Sequence, residues 1–125
     1  MMRFAAQAAA HFESVEIIEM HHAAKVDAPS GTAIKTAEIL NAQGDFSVPT
    51  NLPEARGALV GGVAIHSLRM QGVLAKQQVL FGNMGEQFLI EANTLDRNAY
   101  MPGLLLSCRK VLQLTELVYG LENLI

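Results

Sequence analysis

Between residues 60 and 94 three apolar, alternating segments follow one another with almost nothing between them. They run over 60–69, 73–81 and 87–94, separated by Gln71-Gly72 and by Gly82-Asn83-Met84-Gly85. Turns this short join neighbouring antiparallel strands, so successive antiparallel pairing is predicted. The middle segment has two semi-apolar faces, with Val73, Ala75, Gln77, Val79 and Phe81 on one and Leu74, Lys76, Gln78 and Leu80 on the other. Such a sheet is expected to carry helices on one side and a neighbouring subunit on the other.

The flanking sequence supplies the helices. An Ala-rich stretch over 2–12 is helix-prone. Val15-Glu16-Ile17-Ile18-Glu19 alternates and is β-branched, which predicts a short strand, with a loop from about His21 to Pro29. Ser30 is then a candidate N-cap for a helix that buries Ile34, Ala37 and Leu40. Residues 44–57, rich in Gly, Pro and Asn, read as a surface loop. A long helix is predicted from Met101 through Tyr119, ended by Gly120. Together these describe an α+β domain with one mixed β-sheet, helices on one face and the other face used for oligomerisation.

Composition narrows the partners. The chain has 125 residues, 50% hydrophobic and 17% charged, which is enough for one core and too little charge to cover a monomer's surface. An oligomer buries the surplus. A net charge of −3 without a basic stripe argues against nucleic acid. No apolar run approaches the ~20 residues that span a bilayer, and Met1 to Gln7 do not read as a signal peptide. Cys108 stands alone within Leu104-Leu105-Leu106-Ser107-Cys108, where a small buried apolar role is expected. Reducing cytoplasm fits these features.

One stretch concentrates chemistry: Glu19-Met20-His21-His22-Ala23-Ala24-Lys25-Val26-Asp27-Ala28-Pro29-Ser30-Gly31-Thr32-Ala33. N–H groups of Gly31 and Thr32 in a first helical turn favour an anion, and Gly31 admits a ligand close to the backbone. Lys25 could pair with a carboxylate or donate a proton, and a histidine can donate one near neutral pH. Each part also has a plain structural reading. Adjacent histidines point apart and lack a spaced third ligand, so no metal is expected; Ser30 alone is a helix cap; Asp27 could organise the turn. His11 and His66 have no evident partner and are read as structural.

As a contiguous string, His21-His22-x-x-Lys25-x-Asp27-Ala28-Pro29-Ser30-Gly31-Thr32-Ala33 resembles the signature of the 4-hydroxy-tetrahydrodipicolinate reductase (dihydrodipicolinate reductase) family. Ile65-His66-Ser67-Leu68-Arg69, Val79-Leu80-Phe81-Gly82 and Asp96-Arg97-x-x-Tyr100-Met101-Pro102-Gly103 extend the likeness over nearly the whole chain. The resemblance implies that His21 is the acid–base residue and Lys25 the proton-donating lysine. It implies that His22, Ser30, Gly31 and Thr32 contact a small dicarboxylate substrate. It further implies reduction by NADPH or NADH in diaminopimelate and lysine synthesis, and a homotetramer assembled through the mixed sheet.

The family is about twice this length, its first half being a Rossmann domain with a Gly-rich fingerprint. Here no G-x-G-x-x-G opens a helix, and Gly57-Ala58-Leu59-Val60-Gly61-Gly62 has the wrong spacing. The chain also opens in mid-helix, with no capping residue before Met1. Residues 1–125 are therefore expected to form the C-terminal substrate-binding and oligomerisation domain, partnered by an N-terminal Rossmann domain that holds the cofactor. Alone, such a chain would be an inactive oligomerisation and dicarboxylate-binding module.

Overall fold

The computed structural model describes residues 1–46 and 53–125; the middle of the loop expected over 44–57 lies outside them. The chain forms two compact units, Met1–Asn93 and Thr94–Ile125, which are described separately.

In the first unit, α1 spans Met2–Ala9, β1 Ser14–His22, α2 Gly31–Asn41, β2 Ala58–Val60, β3 Val63–Met70, β4 Ala75–Asn83 and β5 Glu86–Thr94. A 3-10 turn, Pro53–Arg56, precedes β2. The five strands lie in the order β2-β3-β1-β4-β5. β1 runs parallel to β3 and antiparallel to β4. The expected α+β architecture with one mixed sheet is present.

The pairing differs from the expectation in one respect. β4 and β5 are neighbours across the Met84-Gly85 turn, and β2 pairs with β3 antiparallel across Gly61-Gly62. β3 and β4, however, do not pair with each other, because β1 lies between them. Val15 and Ile17 of β1 are 3% and 0% exposed, a burial that an edge strand would not reach, so β1 takes the centre. Residues 71–74 cross its end. They bridge two inter-strand spacings of ~4.8 Å each, within the ~13 Å that four extended residues reach.

The core forms on one face. Val15 and Ile17 of β1, Val63 and Ile65 of β3, and Val79 and Phe81 of β4 meet Ala5 and Ala9 of α1 and Ala33, Ala37 and Leu40 of α2. The small residues on the helices let their backbones lie close to the sheet. Of the three residues expected on α2's buried face, Ala37 and Leu40 are fully buried and Ile34 packs at the margin. Ser30 caps α2 as expected, its hydroxyl accepting from the N–H of Ala33 at 3.2 Å. The opposite sheet face exposes Leu59, Leu68, Met70, Leu80 and Leu89, each by 36–59%.

The second unit holds α3, Met101–Lys110, preceded by a 3-10 turn over Arg97–Tyr100 that Asp96 caps. The helix expected to continue to Tyr119 passes into a 3-10 turn at Val111–Gln113 and stops where Leu114 becomes extended. Val111, Thr115 and Val118 are β-branched and hold a helix poorly without packing to support it. Gly120, at φ 93°, precedes a last 3-10 turn over Leu121–Asn123. No residue of α3 is buried, and Cys108 is exposed rather than buried. One ten-residue helix and three short turns do not enclose a core of their own.

Candidate functional site

The site is built at the end of β1. Strand alternation puts Val15, Ile17, Glu19 and His21 on the helix-covered face, so a carboxylate and an imidazole follow two core residues in phase. The loop expected to begin at His21 instead begins after His22, because both histidines are held in the sheet. His21 is paired with Arg69 of β3 and Ala75 of β4, and His22 with Met70.

Glu19 is wholly buried and is the hub of the arrangement. Arg69 grips it with two nitrogens, Nη1 to Oε2 at 2.9 Å and Nη2 to Oε1 at 2.8 Å. The backbone N–H of Ser30 donates to Oε1 at 3.1 Å, tying the start of α2 to the strand. His21 Nδ1 lies 2.6 Å from Oε2. Arg69 Nη2 also donates to the carbonyl oxygen of Asp27 at 2.6 Å, which pins the loop between β1 and α2. Lys25 joins through that loop: its Nζ donates to both carboxylate oxygens of Asp27, at 2.6 and 2.8 Å. The Ala28–Pro29 peptide in this loop is cis.

The candidate residues divide accordingly. His21 belongs to the Glu19–Arg69 network directly, and Lys25 reaches it through Asp27. Ser30 is buried, its hydroxyl oxygen capping α2 and its N–H given to Glu19. Gly31 and Thr32 are exposed in the first turn of α2, where N–H groups find no acceptor within the helix. A Cβ added to Gly31 would meet nothing within 4 Å, so space lies open beside these donors. His22 is half-buried, and alternation turns its side chain to the other sheet face. His66, also on that face, is not without a partner: its Nε2 lies 2.7 Å from Glu16 Oε2, and Arg56 pairs with the same carboxylate.

Glu19 and Arg69 were not among the candidates. The available signal was phase: Glu19 follows Val15 and Ile17 at even spacing, and Arg69 follows Ile65 in the same way on β3. Two opposite charges in step with core positions are expected to neutralise one another.

Electrostatics around Glu19 are unequal. Burial pushes its carboxyl up, but hydrogen bonds from Arg69, Ser67, His21 and Ser30 outweigh that and bring it from 4.5 to about 2. A lowered folded-state value contributes stability that is fully present above pH 4.5 and is lost as pH falls toward 2. The amount is on the order of 3 kcal/mol. Urea midpoints measured from pH 6 down to pH 2 should fall chiefly in that window, and Glu19→Gln should flatten the fall. Asp27 is likewise held below its ordinary value, first by the Lys25 hydrogen bond.

The Gly57 to Gly62 stretch is shaped by contacts within the chain and not as a dinucleotide cradle. Gly57, Gly61 and Gly62 all have positive φ. A Cβ at Gly57 would lie 2.3 Å from the Ile65 carbonyl oxygen, and one at Gly62 would lie 2.0 Å from that of Phe46. These glycines accommodate the chain's own backbone, and the stretch leads into a strand. It does not fit a nicotinamide cofactor.

Comparison with known proteins bears on the family and the fold. A family model described as dihydrodipicolinate reductase, C-terminus, matches residues 1–125. A 4-hydroxy-tetrahydrodipicolinate reductase of Legionella pneumophila (strain Lens) is 52% identical over 130 residues, covering 100% of this chain and 54% of the relative. One from Coxiella burnetii (strain RSA 493 / Nine Mile phase I) is 48% identical over 126 residues, covering 100% and 53%. A solved dipicolinate-bound dihydrodipicolinate reductase from Paenisporosarcina sp. TG-14 superposes with a TM-score of 0.80 at 46% identity, covering 99% of this chain and 49% of that one. The chain spans about half the length of these relatives. Its fold and the match over residues 1–125 agree: the chain belongs to the dihydrodipicolinate reductase C-terminal family.

Proposed function

We propose that this chain is the substrate-binding and acid–base domain of a cytoplasmic reductase that converts 4-hydroxy-tetrahydrodipicolinate to tetrahydrodipicolinate in diaminopimelate and lysine synthesis. The observation that carries this reading is the convergence, at one end of β1, of a histidine held by a buried carboxylate and of open N–H donors in the first turn of α2. That combination suits a small dianion that must receive a proton.

In this reading the N–H groups of Gly31 and Thr32 hold one substrate carboxylate, and Ser30 fixes the turn that presents them. Lys25, kept in place by Asp27, offers its ammonium to the substrate; His22, whose side chain turns to the other sheet face, would meet only a part of the ligand that extends past the end of β1. NADPH or NADH, held by another segment, would supply a hydride to ring carbon 4 as water leaves. The proton for the neighbouring carbon comes from His21 or Lys25, and neither step calls for a metal.

Assembly follows from the second sheet face. Its row of half-exposed apolar side chains, Leu68 and Met70 on β3, Leu80 on β4 and Leu89 on β5, suits a second copy of this chain, leading to a homotetramer. Sedimentation equilibrium should give a mass above that of one chain; a monomer at micromolar concentration would remove this part of the proposal.

Calorimetric titration with pyridine-2,6-dicarboxylate tests the binding reading. Heat of binding is expected for the chain and should fall at least about tenfold in affinity with Lys25→Ala, the scale of one lost charge-assisted contact. Equal affinity for both proteins would rule out an anion site built by this segment.

A further inference from the structure

We propose that Glu19 is a positioning residue that holds His21 in a single tautomer, with the proton on Nδ1, so that Nε2 alone is left to exchange a proton with a ligand. This rests on the reading of His21 as a proton donor.

The argument begins with what converges on the carboxylate. Two Arg69 nitrogens and the N–H of Ser30 all donate to Glu19. None of them can accept, and the permanently charged guanidinium spans both oxygens, which favours the ionised, acceptor-only form of the acid. Its value of about 2 agrees. The ring nitrogen 2.6 Å from Oε2 therefore faces an acceptor and must itself be the donor. For a neutral imidazole this selects the Nδ1–H tautomer. When the protonated ring gives up its Nε2 proton it is left as that same tautomer, and no second proton has to move.

Arg69 makes the arrangement specific. It occupies both carboxylate oxygens, so the carboxylate is held in one orientation rather than swinging toward the ring or away. Glu19 and His21 sit two residues apart on one strand face, and Arg69 is paired with His21 across the parallel β1–β3 ladder. The orienting group, the ring and the group that fixes the orienting group are thus all mounted on two central strands. A carboxylate that holds a histidine tautomer is a recurrent device in acid–base sites. Glu19 does not reach the open space beside Gly31, being wholly buried, so its influence on a ligand passes through His21.

A long-range proton–nitrogen correlation spectrum of the 125-residue chain, labelled at its 4 histidines, reads this directly at a pH where imidazole is neutral. His21, assigned by its disappearance in His21→Ala, is expected in the Nδ1–H form alone. In Glu19→Gln the amide oxygen will turn to Arg69 and its NH2 to His21, so the population is expected to move toward Nε2–H. A mixture of tautomers in the wild-type chain would overturn the proposal without any variant having to fold. So would an unchanged Nδ1–H signal in a folded Glu19→Gln.

In a protein that joins this chain to a nicotinamide-binding half, Glu19→Gln should lower kcat by roughly ten- to a thousandfold. KM for the dicarboxylate should stay within about threefold. A raised KM with unchanged kcat would contradict the positioning role. If His21→Ala leaves turnover intact, the proton-donor reading fails, while the tautomer result still stands or falls on its own spectrum.

Discussion

His21→Ala, in a protein that joins this chain to a nicotinamide-binding half, is expected to lower turnover by about two orders of magnitude or more, the usual scale for a lost general acid. The side chain is only partly exposed, at 18%, and is the titratable ring fastened to the buried Glu19. Alanine leaves the Glu19–Arg69 pair intact, because Arg69 and Ser30 still satisfy both carboxylate oxygens. The fold should therefore survive, and the loss should appear in kcat more than in KM. A rate near wild type, measured by nicotinamide oxidation at saturating substrate, would remove His21 from the proton path and leave Lys25 as the remaining donor.

Arg69→Met should produce the largest loss of stability, about 3–5 kcal/mol in urea unfolding, because it leaves a buried carboxylate without its countercharge. Methionine fills similar space, so the penalty is electrostatic rather than a cavity. Arg69→Lys keeps a charge but cannot bridge both oxygens of Glu19 and also reach the Asp27 carbonyl, and should fall between. Adding Glu19→Gln to Arg69→Met should recover part of the loss, since neither partner is then a stranded ion. A loss below about 1 kcal/mol in Arg69→Met would mean that the pair is far better solvated than its burial implies.

The features legible in the sequence were those set by local chemistry. Ser30 as a cap, the start of α2 and Ala37 and Leu40 of its buried face depend on neighbours three or four residues away, and these were read correctly, while Ile34 lies at the margin. The end of β1 was misplaced because His21 and His22 are polar and carry no strand signal. What holds them extended is pairing with residues 69, 70 and 75, which no local pattern reports. The sheet order was hidden for the same reason: the short link after β3 looks like a hairpin, yet β1 takes the place between β3 and β4. Arg69 lies 50 residues from Glu19, so the pair could be seen only by matching the phase of two separate strands. The last helix was over-extended because spaced apolar residues such as Leu105, Cys108 and Leu112 imply a buried face. Within residues 94–125 no buried face exists.

The central position of β1 also governs when the site can exist during synthesis. The signature residues leave the ribosome before either neighbour of β1, one of which arrives with residues 63–70 and the other only with 75–83. Until then His21 has no flanking strands and Glu19 no arginine. The contacts by which Arg69 organises the site span 42 and 50 residues, so each closes a long loop before it gives any return. A nascent chain halted before residue 75 would display the whole His21 to Thr32 string and still lack one of the two strands that hold His21. The Glu19–Arg69–His21 arrangement therefore forms with the tertiary structure of its domain and not with its signature string.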